Sequence, residues 1–253
     1  MRLHPAINSS ERKVLPFRSA TMSTQIVAQV RDALFARELR PGDFLGTEKD
    51  LSGRFGVSRI VARDALRTLE AQGVVDIKVG SGGGARIARG NARLFAEALA
   101  VQLDLAGVST SEIMDAQRAI ECLAAELAAV NSTAEDHARL RELIVDAEDK
   151  IDDVVAFTRS SREFHLAVAE ASHNRVLVVQ LISLQHVSWP ARNPTLTAKV
   201  ARRILDAHKE LASLIEIRDA AGARRLMDDH VKMIAARRVA EQRDKRPAEQ
   251  DCC

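Results

Sequence analysis

Between Gly56 and Gly73 the chain reads GVSRIVARDALRTLEAQG, and this stretch restricts what its surroundings can fold into. Ser58 stands where a helix needs a side-chain acceptor for the unpaired N–H groups of its first turn. Wound at about 100° per residue, Val61, Ala62, Ala65, Leu66 and Leu69 share one arc. Arg59, Arg63 and Arg67, each four residues from the last, form a stripe on the other side. Gly73 closes the segment with a residue that tolerates positive φ. One face therefore packs while the other presents guanidinium groups, whose planar forks suit phosphate and the acceptor edge of guanine. Taken alone, such a stripe is equally consistent with a solvated surface helix, so the flanking sequence decides.

Upstream, GTEKDLSGRFGVS predicts a short helix, a tight turn and then the arginine helix. Thr47 followed by Asp50 fits a capped start, Leu51 and Phe55 supply a buried side, and Gly56 permits the turn. This is helix-turn-helix logic, in which the second helix enters the major groove. Downstream, VVDIKVGSGGGARIAR alternates apolar and polar residues on both sides of a glycine run, predicting a two-stranded hairpin, or wing. Gly82 and Gly83 at its tip let the backbone approach phosphates or a narrow minor groove, with Lys78 and Arg86 nearby. From Ser23 an amphipathic support helix buries Ile26, Val27, Val30, Ala33 and Leu34 and is expected to end at Pro41-Gly42. The predicted DNA-contact set is Thr47, Lys49, Ser58, Arg59, Arg63, Arg67, Gly82, Gly83 and Arg86.

On the segments RELRPGDFLGTEKDL and FGVSRIVARDALRTLEAQGVV and the glycine wing, residues 25–89 resemble the DNA-binding domain of the GntR family of bacterial transcription regulators. Gly46-Thr47 replaces the family's usual Pro-Ser, and Lys49 stands where arginine is common. Neither change removes a donor, so a tuned affinity is expected rather than a lost one. Charge placement agrees with this reading. Residues 1–89 carry 15 Lys/Arg against 9 Asp/Glu, whereas the remainder carries 22 against 26. A basic front and an acidic back fit a DNA-binding module joined to something that does not touch DNA.

A hydrophobic content of 46% with 3% aromatics and no tyrosine favours helices packed with Ala, Leu and Val. No run nears the roughly 18 apolar residues that span a bilayer. The start has no signal-peptide core, and two of the three cysteines sit at the extreme C-terminus, so no disulfide framework is expected. A cytoplasmic protein with no membrane partner is the expectation. Residues 1–22 read as a mobile basic tail, 23–89 as the winged domain, 90–242 as a helical domain and 243–253 as a tail. Within the helical domain, a helix over 93–105 needs a surface for Leu94, Phe95, Leu99 and Leu103. Further helices are predicted near 110–130, 133–154, 156–171, 174–189, 195–217 and 219–242. The fold class is mainly α: a winged helix-turn-helix followed by an all-α bundle of about seven helices.

The bundle resembles the FCD ligand-binding domain of FadR-type GntR regulators on EIMDAQRAIECLAAELAA, REFHLAVAEASHN and ILDAHKELASLIEIRDAAGARRLMDDHV. His165, His208 and His230 lie on three different predicted helices; helical histidines are more often surface or hydrogen-bonded residues than ligands. The resemblance implies more, because these positions match the family's metal-binding histidines and would take a divalent metal such as zinc or nickel. In metal-binding FCD domains an Asp precedes the first of these histidines by four residues; here that position is Ser161, a weak neutral ligand. Glu163 points to another side of the helix and does not replace it. The pocket is therefore either a three-histidine site completed by water or effector, or free of metal. In either form, binding is expected to weaken as pH falls through about 6.5, the ordinary imidazole range.

The resemblance further implies that Arg118 clamps an effector carboxylate, forming an effector site with Ser161, His165, His208 and His230. The plainer alternative is a surface arginine paired with Glu121 or Asp115. His186 and Trp189 are expected in the core. Implied partners are a palindromic double-stranded operator, a second copy of the chain and a small-molecule effector. Metal-dependent hydrolysis at the histidines is the competing function, and it is set aside because no Glu or Asp beside them stands out as a general base and no nucleophile motif or phosphate loop is present.

Overall fold

The computed structural model describes residues 21–80, 82–188 and 196–244, with backbone alone at 188 and 239–244. The N-terminal tail up to residue 20, Ser81, Trp189, the break at 192–194 and the C-terminal tail from residue 245, with Cys252 and Cys253, lie outside the described residues. Contacts divide the chain into two compact units, with the boundary between Asn91 and Ala92.

The first unit begins with α1 (Met22–Phe35), whose N-terminus is capped by Thr21. Ile26, Val27 and Val30 are buried along one face. The helix stops well before Pro41-Gly42, because Arg37 adopts a left-handed conformation at φ 60°. Next come β1 (Phe44–Gly46), α2 (Glu48–Phe55), α3 (Arg59–Ala71), β2 (Val75–Lys78) and β3 (Gly84–Ile87). Thr47 and Asp50 form the reciprocal capping box at the start of α2. Gly56, at φ 63°, supplies the left-handed residue that separates α2 from α3. Ser52 ties this turn down by donating to the Val57 carbonyl at 2.6 Å. The strands pair in the order β1-β3-β2. The wing hairpin runs in antiparallel register from Val75 opposite Ile87 to Lys78 opposite Gly84. A third strand, β1, joins the two that the sequence predicts, pairing Phe44 with Arg86. Leu51, Leu66 and Leu69 of the helices meet Leu45, Val75 and Ile87 of the sheet in one core. Burying each leucine is worth roughly 1.5–3 kcal/mol.

The second unit is helical: α4 (Ala92–Leu105), α5 (Thr110–Asn131), α6 (Ala134–Asp149), α7 (Val154–Ala171), α8 (Arg175–Ser188), α9 (Ala198–Glu216) and α10 (Ala220–Asp244). The seven helices expected are thus present among the described residues. α6 ends about a turn early because Asp153 caps α7, accepting from the backbone of Val155 and Ala156. α10 runs to Asp244, past the expected end at 242. α5 packs along α10, where Ala125, Ala128 and Ala129 let Ala223, Met227 and Val231 approach closely. α4 packs against α8. Leu94, Leu99 and Leu103 are half-buried, but Phe95 stays 47% exposed, contrary to the expected burial.

Candidate functional site

The candidate DNA-reading face is built on α3. Ser58 caps it, accepting from the Val61 amide at 3.3 Å. Ala62, Ala65, Leu66 and Leu69 are buried and Val61 is half-buried, so the arginine stripe is turned outward, with Arg59, Arg63 and Arg67 exposed. The stripe is not composed of free cations. Nε and Nη2 of Arg63 donate to the two carboxylate oxygens of Glu48, each at 2.8 Å. Arg67 lies 3.6 Å from Glu70. The hydrogen bond from Arg63 holds the Glu48 carboxyl below the usual carboxylate range. Lys49 is exposed beside this pair at the start of α2. Ile60, 77% exposed in the first turn of α3, is an apolar side chain beside the stripe that the arginine pattern hid.

In the wing, Gly82 is exposed. A Cβ on Gly83 would fall 2.3 Å from the Lys78 carbonyl oxygen, so only glycine closes the hairpin tip this tightly. Arg86 lies 5.1 Å over the Phe44 ring and donates to the Gly42 carbonyl at 3.2 Å. Its guanidinium is therefore anchored at the sheet edge.

In the second unit, His165 of α7, His208 of α9 and His230 of α10 come together in the interior, 6%, 1% and 4% exposed. Nε2 of His165 lies 3.2 Å from Nε2 of His230 and 3.3 Å from Nε2 of His208. Phe164 stacks on His208 with centroids 4.1 Å apart and fixes that ring. A tetrahedral zinc with Zn–N bonds of about 2.0–2.1 Å sets its ligand nitrogens about 3.3–3.4 Å apart. The two separations from His165 match that spacing, and the candidate ligand atoms of all three rings lie within 4.8 Å of one another. Three neutral imidazole nitrogens are suitable donors for a divalent cation that would keep one position for a further ligand.

Two residues that the sequence reading did not assign to this site complete it. Glu121 of α5, 1% exposed, approaches Nδ1 of His165 at 2.5 Å through Oε2. Gln117, one turn earlier, donates Nε2–H to Glu121 Oε1 at 2.5 Å. The sequence offers no obvious acidic partner for the histidines, and the structure supplies one from far away: Glu121 is 44 residues from His165 in sequence and arrives through the packing of α5 on α7. Burial pushes the Glu121 carboxyl up, but the electrostatic pull of the adjoining His165 ring and hydrogen bonds from His165 and Gln117 outweigh it and leave it below its ordinary value. Burial and the neighbouring imidazoles push His208 well below its ordinary value. Burial first, then His165, lowers His230 to about 3. At neutral pH both rings are neutral and ready to donate lone pairs.

Ser161, one turn before His165, is half-buried, and the compact group of candidate ligands among the described residues consists of the three histidines. Arg118 pairs at the surface with Asp115 at 3.9 Å and Asp228 at 3.8 Å, its side chain 37% exposed. His186 is exposed near the end of α8 rather than in the core.

Comparison with known proteins finds two families along the chain. Residues 22–84 match the family of bacterial regulatory proteins called gntR, and residues 112–233 match the FCD domain. The Uxu operon regulator of Haemophilus influenzae is 30% identical over 203 residues, covering 76% of this chain and 73% of that protein. The Uxu operon transcriptional regulator of Escherichia coli is 27% identical over 223 residues, covering 84% and 85%. A putative L-lactate dehydrogenase operon regulatory protein of Escherichia coli is 29% identical over 231 residues, covering 87% and 86%. Among solved structures, Streptococcus agalactiae GntR shares the fold with a TM-score of 0.59 at 21% identity, covering 85% of this chain and 99% of that one.

Proposed function

Because the chain belongs to the GntR family of bacterial transcription regulators and carries an FCD domain, we propose that its affinity for DNA is set by a small carboxylate effector that completes a three-imidazole cation centre in the bundle. The observation that carries this reading is the approach of Nε2 of His230 and of His208 to within 3.2 and 3.3 Å of Nε2 of His165, with the candidate ligand atoms of all three buried rings within 4.8 Å of one another. A cation held there by three neutral nitrogens keeps its full positive charge, and a carboxylate is the ligand that best offsets it. In the first unit, Arg59 and Arg63 read bases, while Lys49 and the wing meet phosphates. A second copy of the chain places two reading helices on successive major grooves of a palindromic operator. The hydrolase alternative is not favoured, since the family and the named relatives are transcription regulators.

The test begins by enriching duplexes from a random library with the full chain. Affinity for the enriched duplex is then measured with a panel of small acids, with and without zinc. L-lactate joins the panel because of the relative named for an L-lactate dehydrogenase operon. At least one acid should change both duplex affinity and melting temperature, and more strongly with zinc. A panel without effect on either would overturn the effector reading.

A further inference from the structure

The imidazole centre has an anionic component that the position one turn before His165 does not supply. Ser161 stands there, neutral and half-buried. Glu121 is instead sunk into the stripe of α5 that also buries Gln117, Ala124, Ala125 and Ala128. A carboxylate buried among alanines is strongly disfavoured unless cationic groups and hydrogen bonds compensate it. Both its oxygens are engaged, one by the Gln117 amide and the other by Nδ1 of His165. An acceptor at Nδ1 fixes the proton on that nitrogen and leaves the Nε2 lone pair free. That lone pair faces Nε2 of His208 and of His230. By contrast, Nδ1 of His230 is buried without a hydrogen-bond partner among the described residues. The orienting contact is thus concentrated on one imidazole.

We infer that Glu121, held by Gln117, is the anionic partner of the centre and a positioning residue for His165, supplying from the outer side the charge that Ser161 lacks. It acts through His165 and need not touch the cation. This role rests on the reading of the histidines as a cation centre, and it adds a fixed tautomer and a source of compensating charge.

The full chain, freed of metal, is titrated with zinc by calorimetry as the native protein, Glu121→Gln, and Glu121→Gln combined with Ser161→Asp. Glu121→Gln keeps the side chain's shape and removes its charge, and zinc affinity should fall roughly ten- to hundredfold. Adding Ser161→Asp should recover most of that loss, because a carboxylate at 161 replaces the missing charge. Ser161→Asp alone, measured alongside, should gain less affinity over native than the double variant gains over Glu121→Gln, whereas equal gains would mean that the two carboxylates do not share a role and would overturn the inference. Long-range nitrogen–proton NMR of native protein labelled at histidine should show His165 protonated at Nδ1. Affinity of Glu121→Gln within twofold of native, no recovery on adding Ser161→Asp, or a native His165 protonated at Nε2 would each overturn the inference. Should Glu121→Gln fail to fold, Gln117→Met replaces it, with a smaller loss of zinc affinity expected and an unchanged affinity overturning the role. Native protein that takes up no zinc would overturn the cation centre itself, whereas zinc binding indifferent to residue 121 would overturn the role of Glu121 alone.

Discussion

At the scale of single residues, the pairing of Arg63 with Glu48 changes how the arginine stripe should act. A guanidinium gripped through Nε and Nη2 still presents Nη1, held in a fixed direction by the carboxylate. Arg59→Ala and Arg63→Ala should each weaken binding to the enriched duplex, roughly ten- to hundredfold if they read bases. Glu48→Gln should act in the opposite sense on random-sequence DNA. It removes an anion from beside the arginine stripe and frees Arg63, which on random sequence has no matched base to read and can turn to phosphate, so affinity should rise and the salt slope should steepen by about one. Fluorescence anisotropy at several salt concentrations reads both effects, and an unchanged slope would mean that Arg63 does not reach phosphate. The stripe was legible in the sequence because charge and period coincide on one short segment. Its partner was not, since Glu48 lies on another helix and nothing local joins the two. Glu121 shows the same limit from the other side. A polar pair at 117 and 121, spaced by one turn within an alanine-rich face, was the available signal, but its meaning appears only when α5 packs on α7.

Among the elements, helix starts were the most readable features because capping chemistry is local. Thr47 with Asp50 and Ser58 cap their helices as the sequence predicts, and the structure adds two reciprocal boxes that were not singled out, Ser109 with Glu112 and Thr133 with Asp136. β1 was illegible because three residues cannot display alternation, and it exists through its pairing with β3. The end of α5 likewise depends on a distant residue. Arg218, held at φ 66°, donates to the carbonyls of Ala129, Val130 and Ser132. It thereby satisfies groups that a helix end otherwise leaves unpaired. Arg218→Ala should destabilise the bundle by about 1 kcal/mol, a modest figure because the side chain is largely solvated. Phe164→Ala should cost about 3–5 kcal/mol, since it leaves a cavity under the His208 ring. Urea unfolding followed by circular dichroism separates the two; comparable losses would mean that the Phe164 site collapses around its cavity.

For the whole molecule, the two units should respond differently to acid. Residues 21–91 contain no histidine, whereas the bundle buries His208 and His230. The value of about 3 for folded His230 lies below its ordinary 6.5, and His208 is shifted in the same direction. As pH falls below 6.5, the unfolded chain takes up protons that the folded bundle refuses. The stability these rings contribute is therefore complete above about pH 6.5 and is lost progressively towards the folded values. Glu121, lowered from 4.5, adds a loss of the same sign only at more acid pH. Between roughly pH 6.5 and 4.5 the buried histidines are thus the groups that should separate the two units. Scanning calorimetry of metal-free protein should show the bundle transition moving to lower temperature across this window, with the winged-unit transition moving much less. His230→Leu should reduce the displacement, because the substituted residue no longer draws protons into the unfolded state. If both transitions moved together, or if His230→Leu left the bundle's response unchanged, the buried imidazoles would not be the source of acid sensitivity. Zinc should oppose the shift at pH 6.5 and lose that effect as the pH falls, because protons and metal compete for the same Nε2 atoms.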